Sequence, residues 1–379
     1  MTTQGPSGHD PEVSTGRPVH GGVKPSQLRA LGLRPEDVLD FSASVSPIGP
    51  PDGVWDAIRQ VDLGAYPDPA CLELRESLSQ TLTPFQGKPV PVERILVGNG
   101  STEIIHLLAR VYLSDLGSDR ESSVFQLTPT YGEYTGACRQ AGAVVSSFEA
   151  TSNPAFCWDI VEAAQQIIQE RPRLVFVCNP NNPTGVYLGL EEIEPLAEAV
   201  ADCGALLVID EAYLSFVSGP WDSMGLPAPD NVVLLRSMTK DYALTGLRLG
   251  YAIASENVIA NLQAFQPDWS VNGLAQAAGL AALADTEYLP RARQAVDQAK
   301  SLLSDRLDRL SLTVHPSAAN FLLVNVGDAS VWHDKLMRLG LFVRDCTSFG
   351  LPEHIRIGIR SMADCQRLIE AMETVSFQV

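Results

Sequence analysis

A lysine and an aspartate stand at the ends of two apolar runs in this chain, and together they could form a reaction centre. Lys240 closes the stretch Ser237–Lys240, and Asp210 ends the run Ala205–Asp210. A lysine forms a Schiff base with a carbonyl compound when burial and nearby cations lower its pKa. Lys240 could instead be a solvated loop charge. Asp210 could cap the next helix, or it could lie at the bottom of a pocket and pair with a cation such as a pyridinium nitrogen.

Two other stretches could bind an anion. Val97–Glu103 places glycines and hydroxyl residues between a predicted strand and a predicted helix, which Ser101 or Thr102 is expected to cap. The free N–H groups of such a helix N-terminus bind phosphate, although the same residues would also make an ordinary glycine turn. Arg248 follows Lys240 and offers a guanidinium that suits phosphate oxygens and could lower the pKa of the lysine.

An asparagine loop and a tyrosine have two interpretations each. Asn179–Gly185 contains two prolines and three asparagines, which indicates a rigid loop. That loop could be a tight turn only, or it could hold an Asn side chain against a ligand oxygen. Tyr131, in the stretch Thr128–Tyr134, could be a core aromatic or a platform that stacks on a ligand ring.

Short apolar runs in the middle of the chain alternate with amphipathic stretches such as Glu191–Val200. The runs lack polar alternation, as expected for strands of a sheet covered on both faces. This rhythm predicts an α/β fold with a mostly parallel central sheet and with ligands at the carboxyl ends of its strands. The predicted strands are Arg94–Val97, Arg173–Cys178, Ala205–Asp210 and Val232–Arg236.

The last third of the chain predicts a smaller α+β domain. Its elements are helices at Leu289–Leu310 and Val331–Leu339 and strands at Asn320–Asn325, Leu341–Arg344 and His354–Ile359. The predicted division is a flexible arm at residues 1–18, an N-terminal segment at 19–60 that packs with the small domain, a large domain at 61–285 and a small domain at 286–379.

Composition limits the partners of the protein. A length of 379 residues, with 45% hydrophobic and 19% charged residues, suits a globular chain of two domains. The net charge of −18 argues against nucleic acid and anionic membranes, so cations that bind anionic ligands must be local. The sequence shows neither a membrane-spanning apolar run nor a secretory signal. Seven scattered cysteines without a Cys-x-x-Cys pair indicate a reducing cytoplasm and neither a metal site nor a disulfide framework.

Taken in order, five motifs resemble those of the fold-type-I pyridoxal-phosphate (PLP) enzymes of the class I/II aminotransferase group. The motifs are GNGSTE, PTYGEY, NPNNPTG, DEAY and SMTK followed by GLRLGY, and the resemblance runs from about residue 19 to the C-terminus. It implies that PLP is the cofactor. Lys240 would carry it as a Schiff base and move protons, and Asp210 would pair with its pyridine nitrogen.

The same resemblance implies the remaining cofactor contacts. Asn182 and Tyr213 would hydrogen-bond the phenolic oxygen of the ring, and Tyr131 would stack on it. Tyr66 matches a tyrosine that reaches the phosphate from the neighbouring subunit, which implies a homodimer with shared active sites. The donors to the cofactor phosphate within one subunit would be Gly100, Ser101, Thr102, Ser237 and Arg248.

Within this group, the chain resembles most the threonine-phosphate decarboxylases of cobalamin biosynthesis, and the alternative is an aminotransferase of the histidinol-phosphate type. The expected reaction is decarboxylation of L-threonine O-3-phosphate, or a similar phosphoamino acid, to (R)-1-amino-2-propanol phosphate. The stretches that carry the likeness are His20–Gly22 with Leu39–Pro47, Asp268–Asn272, and Val343–Cys346 with His354–Ser361.

This second resemblance implies a site for the substrate. Arg356 would take a carboxylate and Arg344 a phosphate, with His20, Gly21, Ser44 and Asn182 also in contact with the substrate. The chain departs from the decarboxylase pattern, which has asparagines at the positions of Ser44, Ser46 and Val23. These departures leave the exact substrate open. The choice between decarboxylation and transamination is also open, because the sequence does not give the orientation of the substrate on the cofactor.

Overall fold

A mixed central sheet forms the core of the protein in a computed structural model, which describes residues 18–82, 89–114, 122–151, 156–226 and 229–376. The predicted flexible arm therefore lies outside the described residues, except for Pro18. Within these ranges the β-strands are β1 Leu39–Asp40, β2 Ile95–Gly98, β3 Ser123–Thr128, β4 Val144–Glu149, β5 Leu174–Cys178, β6 Leu206–Asp210, β7 Val232–Ser237, β8 Gly250–Ile253, β9 Thr313–Val314, β10 Phe321–Asn325, β11 Leu341–Phe342, β12 Arg344–Asp345 and β13 His354–Gly358.

Helices cover the sheets and connect their strands. The α-helices in the described ranges are α1 Pro25–Leu31, α2 Asp52–Arg59, α3 Leu72–Thr81, α4 Gly100–Leu113, α5 Glu133–Gln140, α6 Ile160–Glu170, α7 Leu190–Cys203, α8 Met238–Asp241, α9 Glu256–Gln263, α10 Gly273–Ala284, α11 Tyr288–Arg309, α12 Ala329–Arg338 and α13 Met362–Ser376. Short 3-10 helices lie at Pro35–Asp37, Val92–Arg94, Leu214–Phe216, Ser223–Gly225, Pro229–Asn231 and Thr347–Phe349.

The central sheet has the order β2-β8-β7-β6-β5-β3-β4. Strands β3 to β7 pair in parallel, whereas β8 runs antiparallel to both of its neighbours. Every residue of β5 and of β6 is buried, which explains why these strands appear in the sequence as apolar runs without alternation. The prediction of an α/β fold with a mostly parallel sheet is confirmed, and all four predicted strands belong to this sheet.

A smaller antiparallel sheet, in the order β12-β13-β10-β9, carries the C-terminal part of the site. The single strand predicted at Leu341–Arg344 is wrong, because the structure has two strands there, interrupted at Val343. The first, β11, pairs in parallel with β1, while the second, β12, pairs with β13. The two halves of the segment thus have different partners, and this brings Arg344 opposite Arg356.

Among the described residues, no helix is long and apolar enough to cross a membrane, and no group of three or more His, Cys, Asp or Glu side chains could hold a metal ion. The seven cysteines, which all lie in these ranges, are free.

A buried pair of histidines connects β13 to the loop before β10. The Nε2 atoms of His315 and His354 are 3.2 Å apart, and the ring of Phe156 meets both imidazoles edge-on. Nδ1 of His354 is buried without a hydrogen-bond partner in the described part of the chain. Burial and, secondarily, the neighbouring His315 lower the pKa of His354. The folded protein therefore favours the neutral imidazole.

We expect the free energy of unfolding to fall when the pH drops below the ordinary histidine pKa of about 6.5, because the unfolded chain then binds a proton that the folded chain excludes. Above that pH the stabilisation is fully present. Urea unfolding at about pH 7.5 and about pH 5.5 measures the effect. His354→Gln should flatten this dependence, and an equally steep loss in the variant would contradict the assignment.

Candidate active site

A cavity of roughly 340 Å³ opens at the carboxyl ends of β5, β6 and β7, where it meets the smaller sheet. This size is typical of a pocket for a cofactor or another small ligand. The predicted site residues that line it are His20, Gly21, Ser44, Ser101, Thr102, Tyr131, Asn182, Asp210, Tyr213, Ser237, Lys240, Arg248, Arg344 and Arg356. The two others, Gly100 and Tyr66, lie outside the lining.

Lys240 and Asp210 are brought into the same cavity by neighbouring strands. Lys240 lies in α8, immediately after β7, and Asp210 is the last residue of β6. Burial, Arg356 and Arg248 lower the pKa of Lys240 to about 8, so a substantial fraction of the amine is neutral near neutral pH. Burial raises the pKa of Asp210 to about 6. The result is a nucleophilic amine and a carboxylate that gains from a cationic partner.

Tyr134 hydrogen-bonds Asp210, and this residue was not predicted from the sequence as part of the site. Its hydroxyl donates a hydrogen bond of 2.8 Å to Oδ2 of Asp210, whose Oδ1 accepts one from the N–H of Ala212. The buried ring of Tyr134 stacks on Phe176 with 4.8 Å between centroids. A signal was present, because Tyr134 follows Tyr131 by three residues in the same motif, one helical turn further on.

The N-terminus of α4 faces the cavity, and it begins earlier than predicted. Asn99 is the N-cap residue and makes no side-chain cap, so the prediction that Ser101 or Thr102 caps the helix is wrong. The reason is that the carboxylate of Glu103 accepts the N–H of Asn99 at 2.7 Å and stabilises the turn from inside the helix. Ser101 and Thr102 consequently lie in the first turn.

Gly100 is required at the first position of α4. Its φ is +74°, and a Cβ there would lie 2.7 Å from a guanidinium nitrogen of Arg248. The close approach brings the exposed Arg248 beside the helix N-terminus, next to the hydroxyls of Ser101, Thr102 and Ser237. Positive charge, hydroxyls and the first N–H groups of a helix are the donors that a phosphate group needs.

Asn182, Tyr213 and Tyr131 lie on the walls of the cavity. Oδ1 of Asn182 accepts a hydrogen bond from the guanidinium of Arg356. Tyr213 is buried edge-on against Phe321, with 5.1 Å between centroids. Burial raises the pKa of Tyr131 to about 12, so its hydroxyl stays protonated.

Arg344 and Arg356 occupy directly opposed positions of β12 and β13, and both are buried. Arg344 donates to the carbonyl of Val19 at 2.8 Å and to Oγ of Ser348 at 2.6 Å. Arg356 donates to Asn182 and to the carbonyl of Ser42, while its Nε is buried without a partner in the described ranges. All of these acceptors are neutral.

The N-terminal segment closes one side of the cavity. The ring of His20 lies 5.7 Å from that of Tyr131, and Gly21 packs so closely on Ser42 that a Cβ would lie 2.2 Å from its carbonyl oxygen. Oγ of Ser44 is buried without a partner among the described residues.

Tyr66 lies on the outer surface, apart from the cavity. Its side chain is 80% exposed and stacks on Trp269 with 4.6 Å between centroids. Tyr66 therefore does not contribute to the cavity of its own subunit. The predicted contact of Tyr66 with the cofactor phosphate of a neighbouring subunit remains a prediction.

These features fit PLP on the chemistry of the donor set. The buried carboxylate of Asp210 suits the ring nitrogen of PLP, and Lys240, with its lowered pKa, suits the aldehyde. The helix N-terminus at Gly100, beside Arg248, suits the phosphate. The fold and the site therefore define a fold-type-I PLP-dependent enzyme. The chain belongs to the aminotransferase class I and II family, whose model matches residues 36–372.

Relatives and solved structures agree with this assignment. The histidinol-phosphate aminotransferase of Symbiobacterium thermophilum is 35% identical over 91% of this chain and 92% of its own. The crystal structure of the histidinol-phosphate aminotransferase from Sinorhizobium meliloti in complex with pyridoxal-5'-phosphate has a TM-score of 0.81 at 25% identity, over 94% of this chain and 95% of that one. An aspartate aminotransferase from Thermus thermophilus with maleate has a TM-score of 0.78 at 28% identity, over 92% and 94% of the two chains.

The comparisons confirm the predictions of the fold type, the family and the PLP cofactor. They do not support the special likeness to threonine-phosphate decarboxylases that the sequence motifs suggested. They favour the reading held as the alternative, since the similar relatives carry the name histidinol-phosphate aminotransferase.

Replacing Tyr134 by Phe should move the acid limb of the activity profile to higher pH. The hydroxyl of Tyr134 stabilises the ionised form of Asp210, so its loss should raise the pKa of this carboxyl. The pH dependence of kcat measures the shift. Tyr112→Phe, a matched change in α4, should leave the limb in place, and an unmoved limb in Tyr134→Phe would contradict the role of this hydrogen bond.

Proposed function

We propose that this protein is a PLP-dependent aminotransferase that acts on a small phosphorylated amine of the histidinol-phosphate kind. The observation that carries the proposal is the buried pair Arg344 and Arg356, which stand opposite each other on β12 and β13 at the wall of the cavity. The names of the similar relatives support the reaction class.

Two buried cations on opposed strand positions repel each other and are costly without an anion. Burial, together with Arg356, lowers the pKa of Arg344. The described residues give neither guanidinium a carboxylate partner within ion-pair distance, since their acceptors are carbonyl, hydroxyl and amide oxygens. A substrate that brings a phosphate or a carboxylate would supply the missing charge. In a chain with a net charge of −18, this local pair also gives selectivity for anions.

When bound, PLP withdraws electrons from the reacting carbon of the substrate, and the protein chooses the bond that breaks by orienting the substrate. Lys240 is the amine that would attach the cofactor, and with a pKa of about 8 its Nζ can both accept and return a proton. Asp210 would hold a proton on the ring nitrogen. Arg344 and Arg356 would fix the anionic groups of the substrate, and so decide which substituent faces Lys240.

Decarboxylation of threonine phosphate is the second candidate. It is favoured by the position of His20 and Gly21 in the cavity lining beside Ser44, because these residues belong to the stretches that resemble the decarboxylases. A carboxylate on Arg356 and a phosphate on Arg344 would place both anionic groups of a phosphoamino acid on adjacent cations.

A product assay with the PLP-loaded enzyme separates the two reactions. We expect histidinol phosphate with 2-oxoglutarate to give glutamate, and L-threonine O-3-phosphate to release no CO2. Lys240→Ala should lose both this turnover and the visible absorbance of the bound cofactor. Stoichiometric CO2 from threonine phosphate without a keto product would instead establish the decarboxylase, and turnover by Lys240→Ala would overturn the assignment of the lysine.

We also propose the predicted domain division and a homodimer. The pairing of β1 with β11 supports the association of residues 19–60 with the small domain. An exposed apolar surface supports the dimer, because Leu63 is 81% exposed and Trp269 is 47% exposed beside Tyr66. A second copy that covers this surface would bring Tyr66 toward its partner's cavity.

Trp269→Asp should shift the protein toward monomers and lower its activity, because it places a charge in the proposed interface. Sedimentation velocity over a concentration series measures the dissociation constant, for which we expect a rise of at least about tenfold. Leu339→Asp is a matched control, because it changes another exposed apolar side chain, at the C-cap of α12 in the C-terminal part of the chain. A monomeric wild-type enzyme, or an equal effect of both changes, would contradict the proposal.

A further inference from the structure

Residues 18–22, which we call the strap, run along the cavity mouth and are fastened at successive positions. Pro18 packs on α5, where a Cβ at Gly136 would lie 2.7 Å from its ring. The carbonyl of Val19 accepts a hydrogen bond of 2.8 Å from Arg344, and the N–H of Gly22 donates one of 2.7 Å to Oγ of Ser42. The strap therefore joins the first turn of α5 to the strand that carries Arg344.

Glu133 holds the middle of the strap. It is the first residue of α5 and is only 8% exposed. Its Oε1 lies 2.5 Å from Nε2 of His20, and its Oε2 lies 3.1 Å from Nε2 of His106 on α4. The carboxylate thus bridges the strap to the helix whose N-terminus faces the cofactor pocket.

The charge of Glu133 fixes how the two histidines are protonated. Hydrogen bonds from His106 and His20 lower the pKa of this carboxyl to about 2, so it is ionised and can only accept. Each Nε2 must then carry a hydrogen. His20 is accordingly held in one tautomer, with its ring oriented beside that of Tyr131.

We propose that Glu133 is a positioning residue. Its contacts with His20 and His106, which we call the latch, hold His20 and the strap over the cavity. In this position, His20 and Arg344 receive the anionic group of the substrate together. The choice of an anionic substrate rests on the proposed function; the latch itself rests on contacts within the chain. No such role for Glu133 follows from the motif in which it occurs.

The latch acts mainly on the substrate side of the site, and on the cofactor side the ring of His20 lies 5.7 Å from that of Tyr131. Arg344 uses one nitrogen to bind both Val19 and Ser348, so displacement of the strap removes one of its two acceptors. In the described ranges, the hydrogen-bond partners of Lys240 and Asp210 lie outside the strap. They are Ser46 for Lys240, and Tyr134, Asn179 and Ala212 for Asp210. Loss of the latch should therefore weaken the binding of a phosphorylated substrate without changing the bound cofactor.

The test is Glu133→Gln in the PLP-loaded enzyme, because glutamine keeps the shape and removes the charge. We expect KM for histidinol phosphate to rise about tenfold, as for loss of a charge-assisted hydrogen bond, while KM for histidinol, kcat and the cofactor absorbance stay the same. Hydrogen exchange at the amides of residues 19–23 should become faster. Glu373→Gln, which removes a carboxylate paired with Arg306 on α11, should change none of these values.

His106→Gln is a second variant that tests the latch without touching Glu133, and it should show the same changes to a smaller extent. Equal rises of KM for both substrates in either variant would make Glu133 merely structural, and unchanged KM values and exchange rates would overturn the latch. If the wild-type enzyme turns over no phosphorylated amine, the proposed function fails. The exchange rates of the strap then decide on the latch alone, because that measurement needs no substrate.

Discussion

The structure depends on one constraint: its cavity is lined by charged groups that lack a full set of opposite charges. Asp210, Lys240, Arg344 and Arg356 all line the same space between the two sheets. A buried charge is tolerated only with hydrogen-bonding partners or a bound counter-charge. The protein supplies partial compensation, through Tyr134 for Asp210 and through neutral oxygens for the arginines. A cofactor with a pyridine nitrogen and a phosphate would meet part of the remaining demand, and the proposed anionic substrate would meet the rest.

The two sheets divide this work between them. The carboxyl edge of the parallel sheet positions Asp210 at the end of β6 and Lys240 just after β7. The antiparallel sheet contributes the arginines, and a hydrogen bond from Arg356 to the carbonyl of Ser42 ties it to the N-terminal segment, while the adjacent β11 pairs with β1. The residues that suit the cofactor and those that suit an anionic substrate thus come mainly from different sheets, and Arg356 connects the two groups because it also contacts Asn182 and lowers the pKa of Lys240. This separation explains how one family can keep its cofactor site and change its substrates.

The family relatives sharpen one point that the motifs left open. Short stretches near His20, Trp269 and Arg356 resemble one branch of the family, yet similarity over nine-tenths of the chain connects it to proteins named histidinol-phosphate aminotransferase. Either proposed substrate carries a phosphate, and the opposed arginines would suit such an anion in both reactions. We expect the orientation of the substrate above Lys240 to separate the two reactions, and His20 and Ser44 are among the side chains that line the space around it.

The sequence by itself determined four strands of the central sheet, the fold class, the cofactor and most of the residues that line the cavity. Buried parallel strands have a distinct apolar pattern, and chemical residues follow them at characteristic positions. The tertiary structure alone decided which of those residues have partners. Tyr134 meets Asp210 across 76 positions of the chain, and Glu133 meets His20 across 113. The break at Val343, which sets Arg344 opposite Arg356, also depends on pairing with two separate strands. Local residue patterns carry no information on such distant pairings, because they form only when the packed sheets bring the segments together.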